Sequence, residues 1–455
     1  MNKQLISSST SGFILLLMIL TSCGKEWLEA KPDKSLLVPK TIKDYQSLLD
    51  NTNLFNTQQG VGLGEVGACD FYLNNAGWSL ITTNQERAAY IWAPTNNFYN
   101  GEIGIDWENG YKRILSANVI LDGMAQIKPE MAEQQDWNTV KGGALFFRAF
   151  DFFNLAQQYC VPYQSGTANG ELGLPLRLDY DVNIYLKRST LRQTYERIIA
   201  DLEIAADLLG TSPLFKTRPS KEAAYALLAR TYLAMGDYES AGEYADLALQ
   251  IQSALLDYSK LNAAASFPIS RFNAEVIFHS TFYYGIFNPS RMFVVPELYA
   301  EYVTGDLRKI VFFTANGLSF KGSYNGDRNL FGGLATDELY LIRAEAKARA
   351  GDLPGALADL NMLRRNRWTG AYVDLTSEDP DVVLNHVVKE RRRELLFRGI
   401  RWTDLRRLNT DSRFAVALSR TINGGTYTLP PDDKRYVLPI DEEEIRLSGI
   451  PQNKR

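Results

Sequence analysis

The chain has little of what catalysis and metal binding draw on. Its 455 residues include two histidines, His279 and His386, and three cysteines, Cys23, Cys69 and Cys160. That excludes a disulfide framework and a cysteine-rich zinc site. Cys69 and Cys160 read as small hydrophobic residues and not as a bridge. Neither charge sign dominates, with 49 Lys and Arg against 53 Asp and Glu, so no basic field is present to hold a nucleic acid. No G-x-S-x-G, H-E-x-x-H or phosphate-loop pattern occurs. Carboxylate pairs are always available among so many acids, but none sits in a motif with separate acid and base roles. The expectation is a chain with no catalytic residue, no metal ligand and no cofactor. The apolar run Phe13 to Leu20 is also shorter than the roughly 20 residues that span a bilayer.

What is present begins with an address. Lys3, the apolar run and the small residues Thr21 and Ser22 form a secretory signal over residues 1–22. Leu20-Thr21-Ser22-Cys23 resembles a bacterial lipobox, which implies a mature chain starting at Cys23 and lipidated there. Two or more acyl chains give stable anchoring without a membrane-spanning helix. Gly24-Lys25-Glu26 is similar to the signals that carry such lipoproteins to the cell surface.

Ala229 to Ala248 and Ala344 to Leu363 share one pattern. In each, a helix with a small-residue face stops at glycine, Gly236 or Gly351, and aspartate, Asp237 or Asp352, opens the next helix. Ala229, Ala241, Ala344 and Ala356 would let antiparallel helices approach closely, as in tetratricopeptide hairpins. Trp107 to Ile127, Val140 to Tyr159 and Leu191 to Leu209 show further helical periodicity. Gly60 to Gly110 and Asn316 to Gly333 are rich in Gly, Asn and rings without a steady period; they read as long ordered loops with short strands. The fold class is mostly α, a tetratricopeptide-like helical-repeat body with long irregular loops and a few short strands.

Glu390 to Leu408 and the closing segment Tyr436 to Ile440 with Gln452-Asn453 resemble the C-terminal signature of the SusD/RagB family. Trp107 to Leu121, Leu145 to Phe150, Leu174 to Leu176, Tyr195 to Leu202 and Ala223 to Leu233 follow in the family's order. The resemblance implies a single SusD-like domain over 23–455, with an N-terminal part near 23–215 and a C-terminal part near 270–455. It also implies a lipoprotein on the outer face of the outer membrane. Such proteins bind oligosaccharides, or in some branches peptides, and close over a TonB-dependent barrel resembling SusC. One departure stands out: the family usually has an acid where Arg398 precedes Gly399, which puts a local salt bridge in doubt.

The charged cluster Arg391, Arg392, Arg393, Glu394, Arg401, Asp404, Arg406 and Arg407 could grip an anion. Its helical spacing favours ion pairs to the repeat core, with Trp402 as an anchor. Sugar recognition needs rings for pyranose faces and amides or charges for hydroxyls. Asp70, Tyr72, Asn74, Trp78 and Trp92, near Asn96, Asn97, Phe98 and Tyr99, supply that mixture, as do Tyr283, Tyr284, Asn325 and Arg328. These nine, Asp70 to Trp92 and Tyr283 to Arg328, are the candidate ligand residues. Asp441 to Glu444 reads as a solvated acidic face. Two other classes stay open, a helical-repeat scaffold without small ligand and a secreted glycosidase.

Overall fold

Each repeat hairpin is set by local chemistry. In the computed structural model, which describes residues 39–95 and 97–455, the Ser220 side chain accepts from the Ala223 N–H to start one helix. That helix ends at Gly236, φ 77°, and Asp237 accepts from the Ser240 N–H to start the next. Gly351, φ 87°, and Asp352 repeat the arrangement. A left-handed φ suits glycine, which has no Cβ to clash. Residues 1–38, including the signal, Cys23 and Gly24 to Glu26, lie outside the described residues, as does Asn96.

The long helices within Thr41–Arg455 are α1 (Ile105–Ala125), α2 (Gln134–Tyr159), α3 (Leu191–Leu208), α4 (Lys221–Met235), α5 (Tyr238–Ile251), α6 (Thr336–Ala350), α7 (Leu353–Arg365) and α8 (Pro380–Glu394), followed by the shorter α9 (Arg401–Leu408). Each packs on the next from α1 through α7, and α8 lies on both α6 and α7. The hairpins α4–α5 and α6–α7 are not tandem in sequence, yet α5 packs directly on α6. Ala229, Ala241, Ala344 and Ala356 are all fully buried at these contacts. A Cβ on Gly242 would stand 2.8 Å from the Ala346 Cβ, so the close approach of α5 and α6 requires a residue without a side chain there.

Between α5 and α6, residues 252–335 leave the stack and return. Short antiparallel pairs hold this excursion to the body and to itself: Phe71–Tyr72 with Phe293–Val294, Val276–Phe278 with Leu334–Ala335, and Thr281–Phe282 with Leu330–Phe331. The segment 60–110 differs from expectation. It is largely short helices, Gly62–Gly67, Asn75–Ser79 and Asn84–Tyr90, with one two-residue strand, and Gly110 already lies inside α1. A Cβ on Gly110 would meet the Leu155 side chain at 3.0 Å, so this glycine serves packing against α2 and not a turn.

The C-terminal signature ties the stack together through buried charge. Glu390 receives Arg308 at 2.6 Å, and Arg364 and Arg393 at 2.5 Å. Burial pushes its carboxyl up, but the three guanidinium groups outweigh that and hold it well below the usual carboxylate range. Asp404 of α9 accepts from Arg391 at 2.8 Å and Arg407 at 2.9 Å, and Arg407 reaches Glu345 of α6 at 2.7 Å. Trp402 is buried against Gly64 and Gly67, whose added Cβ atoms would touch its ring. Arg406 caps the end of α2 by donating to the Gln157 and Cys160 carbonyls. Arg398 replaces the local bridge with a longer one, donating from Nη1 to Asp337 Oδ2 at 2.9 Å while its guanidinium covers the Tyr324 and Phe331 rings. Cys69 and Cys160 are free thiols.

Candidate functional site

Four of the nine ligand residues expected from sequence are internal. Trp92 is 1% exposed and its indole Nε1 donates to the Gly67 carbonyl at 3.0 Å, so it presents no face to solvent. Asp70 is buried between Arg392, at 2.7 Å, and Arg401, at 3.5 Å. Tyr284 is buried, with its hydroxyl donating to Asp106 Oδ1 at 2.9 Å; its ring lies so close to Gly62 that a Cβ there would fall 2.2 Å from it. Asn325 is buried against His279, Oδ1 to Nε2 2.8 Å. Its amide nitrogen is already donating to Asp327, so Oδ1 accepts and the His279 Nε2 carries the proton. Burial, then Arg271, lowers the His279 pKa to about 4 against the hydrogen bond that raises it, leaving the ring neutral near pH 7.

Tyr72, Asn74, Trp78, Tyr283 and Arg328 stand at the surface or partly open to it. Tyr72 pairs with Phe293 across the two short strands, with ring centroids 5.7 Å apart. The Asn74 side chain caps the helix Asn75–Ser79 by accepting from the Gly77 N–H at 2.7 Å. That helix presents the half-buried Trp78, backed by Tyr90 and flanked by the Arg87 guanidinium at 5.7 Å. Arg291 fastens it to the excursion by donating to the Leu80 carbonyl at 3.0 Å. On the later loop, Arg328 lies 5.8 Å over the Tyr283 ring.

The segment 287–293 joins these rings to a groove. A cavity of about 880 Å³ is lined by Ala263 to Phe267, Pro289, Tyr299, Lys309, Phe313 and Phe320, among others. An adjoining pit shares Phe267, Pro289, Phe320 and Lys321 with it and reaches Asp327 and Arg328. The Lys309 ammonium sits 4.9 Å over the Tyr299 ring. Lys321 donates to the Ala263 carbonyl at 2.6 Å, which holds the rim loop, and burial lowers its pKa. Flat rings, two ammonium groups and a guanidinium around one groove suit a hydroxyl-rich or partly anionic ligand. Phe267, Tyr299, Lys309 and Phe320 were not among the expected residues. The only signal for them is an aromatic excess inside the interval between the two repeat hairpins.

Glu275, Asp337 and Glu394 place carboxylate oxygens within 4.8 Å of one another in the interior. Arg367 reaches both Glu275, at 2.8 Å, and Glu394, at 2.7 Å, and Arg398 holds Asp337. The countercharge a metal would supply is therefore already provided by arginine.

Comparison with known proteins agrees with this architecture. A family described as "Starch-binding associating with outer membrane" matches residues 26–233, and one described as "SusD family" matches residues 336–454. A SusD-like protein P2 of Formosa agariphila is 28% identical over 159 residues, covering 34% of this chain and 29% of that protein. A SusD superfamily protein of Bacteroides vulgatus has a TM-score of 0.72 at 23% identity, over 91% of this chain and 99% of the other. A SusD-like carbohydrate binding protein of the same species gives 0.69 at 21%, over 90% and 97%. A SusD superfamily protein of Bacteroides thetaiotaomicron gives 0.70 at 20%, over 91% and 100%. Together with the helical stack and the C-terminal charge network, these matches establish that the chain belongs to the SusD/RagB family.

Proposed function

We propose that this chain is a lipid-anchored surface protein that captures oligosaccharides and passes them to a TonB-dependent, SusC-like barrel in the outer membrane. The observation that carries the reading is the groove of about 880 Å³ beside Tyr299, Phe313 and Phe320, whose adjoining pit reaches Arg328 over the Tyr283 ring, with Tyr72 and Trp78 held against the same excursion through Phe293 and Arg291. Rings would cover the apolar faces of successive sugars, while Lys309, Lys321 and Arg328 would meet hydroxyls or a sugar carboxylate. A family described as associating with the outer membrane and a carbohydrate-binding relative of similar fold support the class of ligand and the location. Attachment would run through a lipid on Cys23, which ends the lipobox-like Leu20-Thr21-Ser22-Cys23; no helix among the described residues is long and apolar enough to cross a membrane. Capture and delivery require no bond to be made or broken, and the role is that of a binding protein.

Calorimetric titration with neutral oligosaccharides, uronate-containing oligosaccharides and short peptides tests this. Saturable binding of a saccharide, weakened by Tyr299→Ala and Arg328→Ala, is the expected result. Binding of peptides alone would move the chain to the peptide-binding branch. Hydrolysis of a saccharide during titration would overturn the non-enzymatic role.

A further inference from the structure

A second concave surface lies on α1 and shares no lining residue with the groove. It encloses about 800 Å³ between the first turns of α1, the loop 175–186 and the C-terminal helix Glu442–Ser448. Trp107 and Tyr111 of α1 form its floor, with ring centroids 4.7 Å apart. Its mouth is apolar and open: Ile103 is 61% exposed, Val182 64%, Tyr185 62% and Leu447 67%. Large side chains that open together around one cavity are unusual on a soluble surface and mark an interaction site.

The loop is built to stay in place. Arg177 donates to the Asp181 and Ile184 carbonyls, and Asp181 accepts from the Asn183 N–H at 2.9 Å. Arg177 also lines the cavity and acts on Glu444 through its charge, but its guanidinium is spent on these carbonyls and forms no salt bridge with a cavity acid. Glu108, Asp441 and Glu444 line the cavity and none forms an ion pair within the distance of a salt bridge, while Glu443 has only the exposed Arg446. The single lining ammonium is Lys112, at the exposed rim. Burial, with Asp441 beside it, raises the Glu444 pKa despite hydrogen bonds from Ser448 and Trp107 and the charge of Arg177, and the carboxylates of Glu108, Asp441, Glu443 and Glu444 outnumber the lining cations Lys112 and Arg177.

We propose that this cavity docks a segment of a partner protein carrying apolar and basic side chains, its aliphatic or aromatic anchor on Trp107 and Tyr111 and its cation among Glu108, Asp441 and Glu444. The acidic lining decides against an anionic membrane surface, which would be repelled. The aliphatic rim decides against a sugar, whose hydroxyls would lose water to Ile103, Val182 and Leu447 without replacement. The charged ring around an apolar anchor is the usual form of a specific docking pocket.

The test uses the purified full chain, a short peptide of Leu, Phe and Lys, its Glu-for-Lys counterpart and a neutral oligosaccharide. Calorimetry should show binding of the basic peptide and not of its acidic counterpart, at least tenfold weaker for Tyr185→Ala with Leu447→Ala and for Glu444→Gln, and weakening with added salt, while these variants leave any saccharide binding in the groove unchanged. Hydrogen exchange should show protection confined to 103–115, 175–186 and 441–450. Tyr185 and Leu447 are exposed and Glu444 is half-buried, and an unchanged melting temperature verifies that the variants keep the fold. Equal binding of the acidic peptide, saccharide binding in the cavity, or self-association of the chain that these variants abolish would each overturn the proposal.

Discussion

Arg367 and Glu394 meet at 2.7 Å with neither side chain open to solvent. The same guanidinium reaches Glu275 of the excursion, and Glu394 is shared with Arg308. One buried junction thus links α8, the end of α7 and the segment that carries the groove. Pairs of this kind contribute little net stability compared with an apolar core, but losing one partner strands the other.

Asp404→Ala leaves Arg391 and Arg407 facing a void, and unfolding free energy should fall by roughly 3–5 kcal/mol. Urea denaturation reads this directly. A midpoint equal to wild type would show that the cluster does not hold α9 to the stack.

The acid side of the pH profile follows from the same groups. Glu338, Glu345, Glu390 and Asp404 are each pushed up by burial and pulled further down by arginines, to below the ordinary carboxylate values. Their contribution is therefore complete above the unfolded carboxylate pKa and is lost as pH falls through the folded values. The melting temperature should drop on acidification below about pH 4, and Asp404→Asn should make that drop shallower.

Glu65 has the opposite sign. Its carboxylate is fully buried and forms no salt bridge; burial, then Asp70, raises its pKa to about 8, although the charge of Arg401 and the backbone N–H groups of Arg401 and Gly399 act against this. The folded state then keeps a proton that the unfolded chain has released, and stability declines as pH rises between the two values. Glu65→Gln should raise stability at pH 8 by about 1–3 kcal/mol and leave it unchanged near pH 4. Equal effects at both pH values would exclude titration of Glu65 as the cause.

Trp78 and Trp92 separate binding from folding. Trp92→Ala removes a buried indole and should cost about 3–5 kcal/mol of stability. Trp78→Ala should leave the melting temperature within a few degrees of wild type and weaken saccharide binding by roughly 2 kcal/mol, about thirtyfold. Calorimetry beside thermal denaturation distinguishes them; a Trp78→Ala protein that binds as tightly as wild type would confine the ligand to the Tyr299 groove.

Cys23→Ala should yield a chain that carries no lipid and leaves the membrane fraction, read by mass and by fractionation. Retention with outer membranes at unchanged mass would remove the anchor from the account.

The repeat hairpins were legible because their signals are local. Gly236 and Gly351 stop helices, and Asp237 and Asp352 start them, through contacts with residues three or four positions away. The nature of the charged cluster was also legible, since its helical spacing is printed in the sequence. Trp92 was not. It sits among Asn and Gly as a surface ring would, but its partner is the Gly67 carbonyl, and only the tertiary fold brings that group under the indole. Asp70 hid for the same reason, with its arginine 322 residues away. The groove draws Phe267, Pro289, Tyr299 and Phe320 from separate turns with no common period, so nothing in the linear pattern marks them as neighbours.

The stacking of α5 on α6 gives the excursion between them fixed anchor points. Loop-closure entropy grows only slowly with length, about 0.6 kcal/mol for each doubling, so the scaffold tolerates wide variation in what is threaded between these two helices. The lining of the Tyr299 groove can then be exchanged as one continuous stretch of chain, residues 252–335, while the helices that present it, and Trp78 outside it, keep their sequence. A transplanted excursion must satisfy two inherited conditions. It must return a carboxylate to Arg367, as Glu275 does, and a strand to Phe71 and Tyr72, as Phe293 and Val294 do.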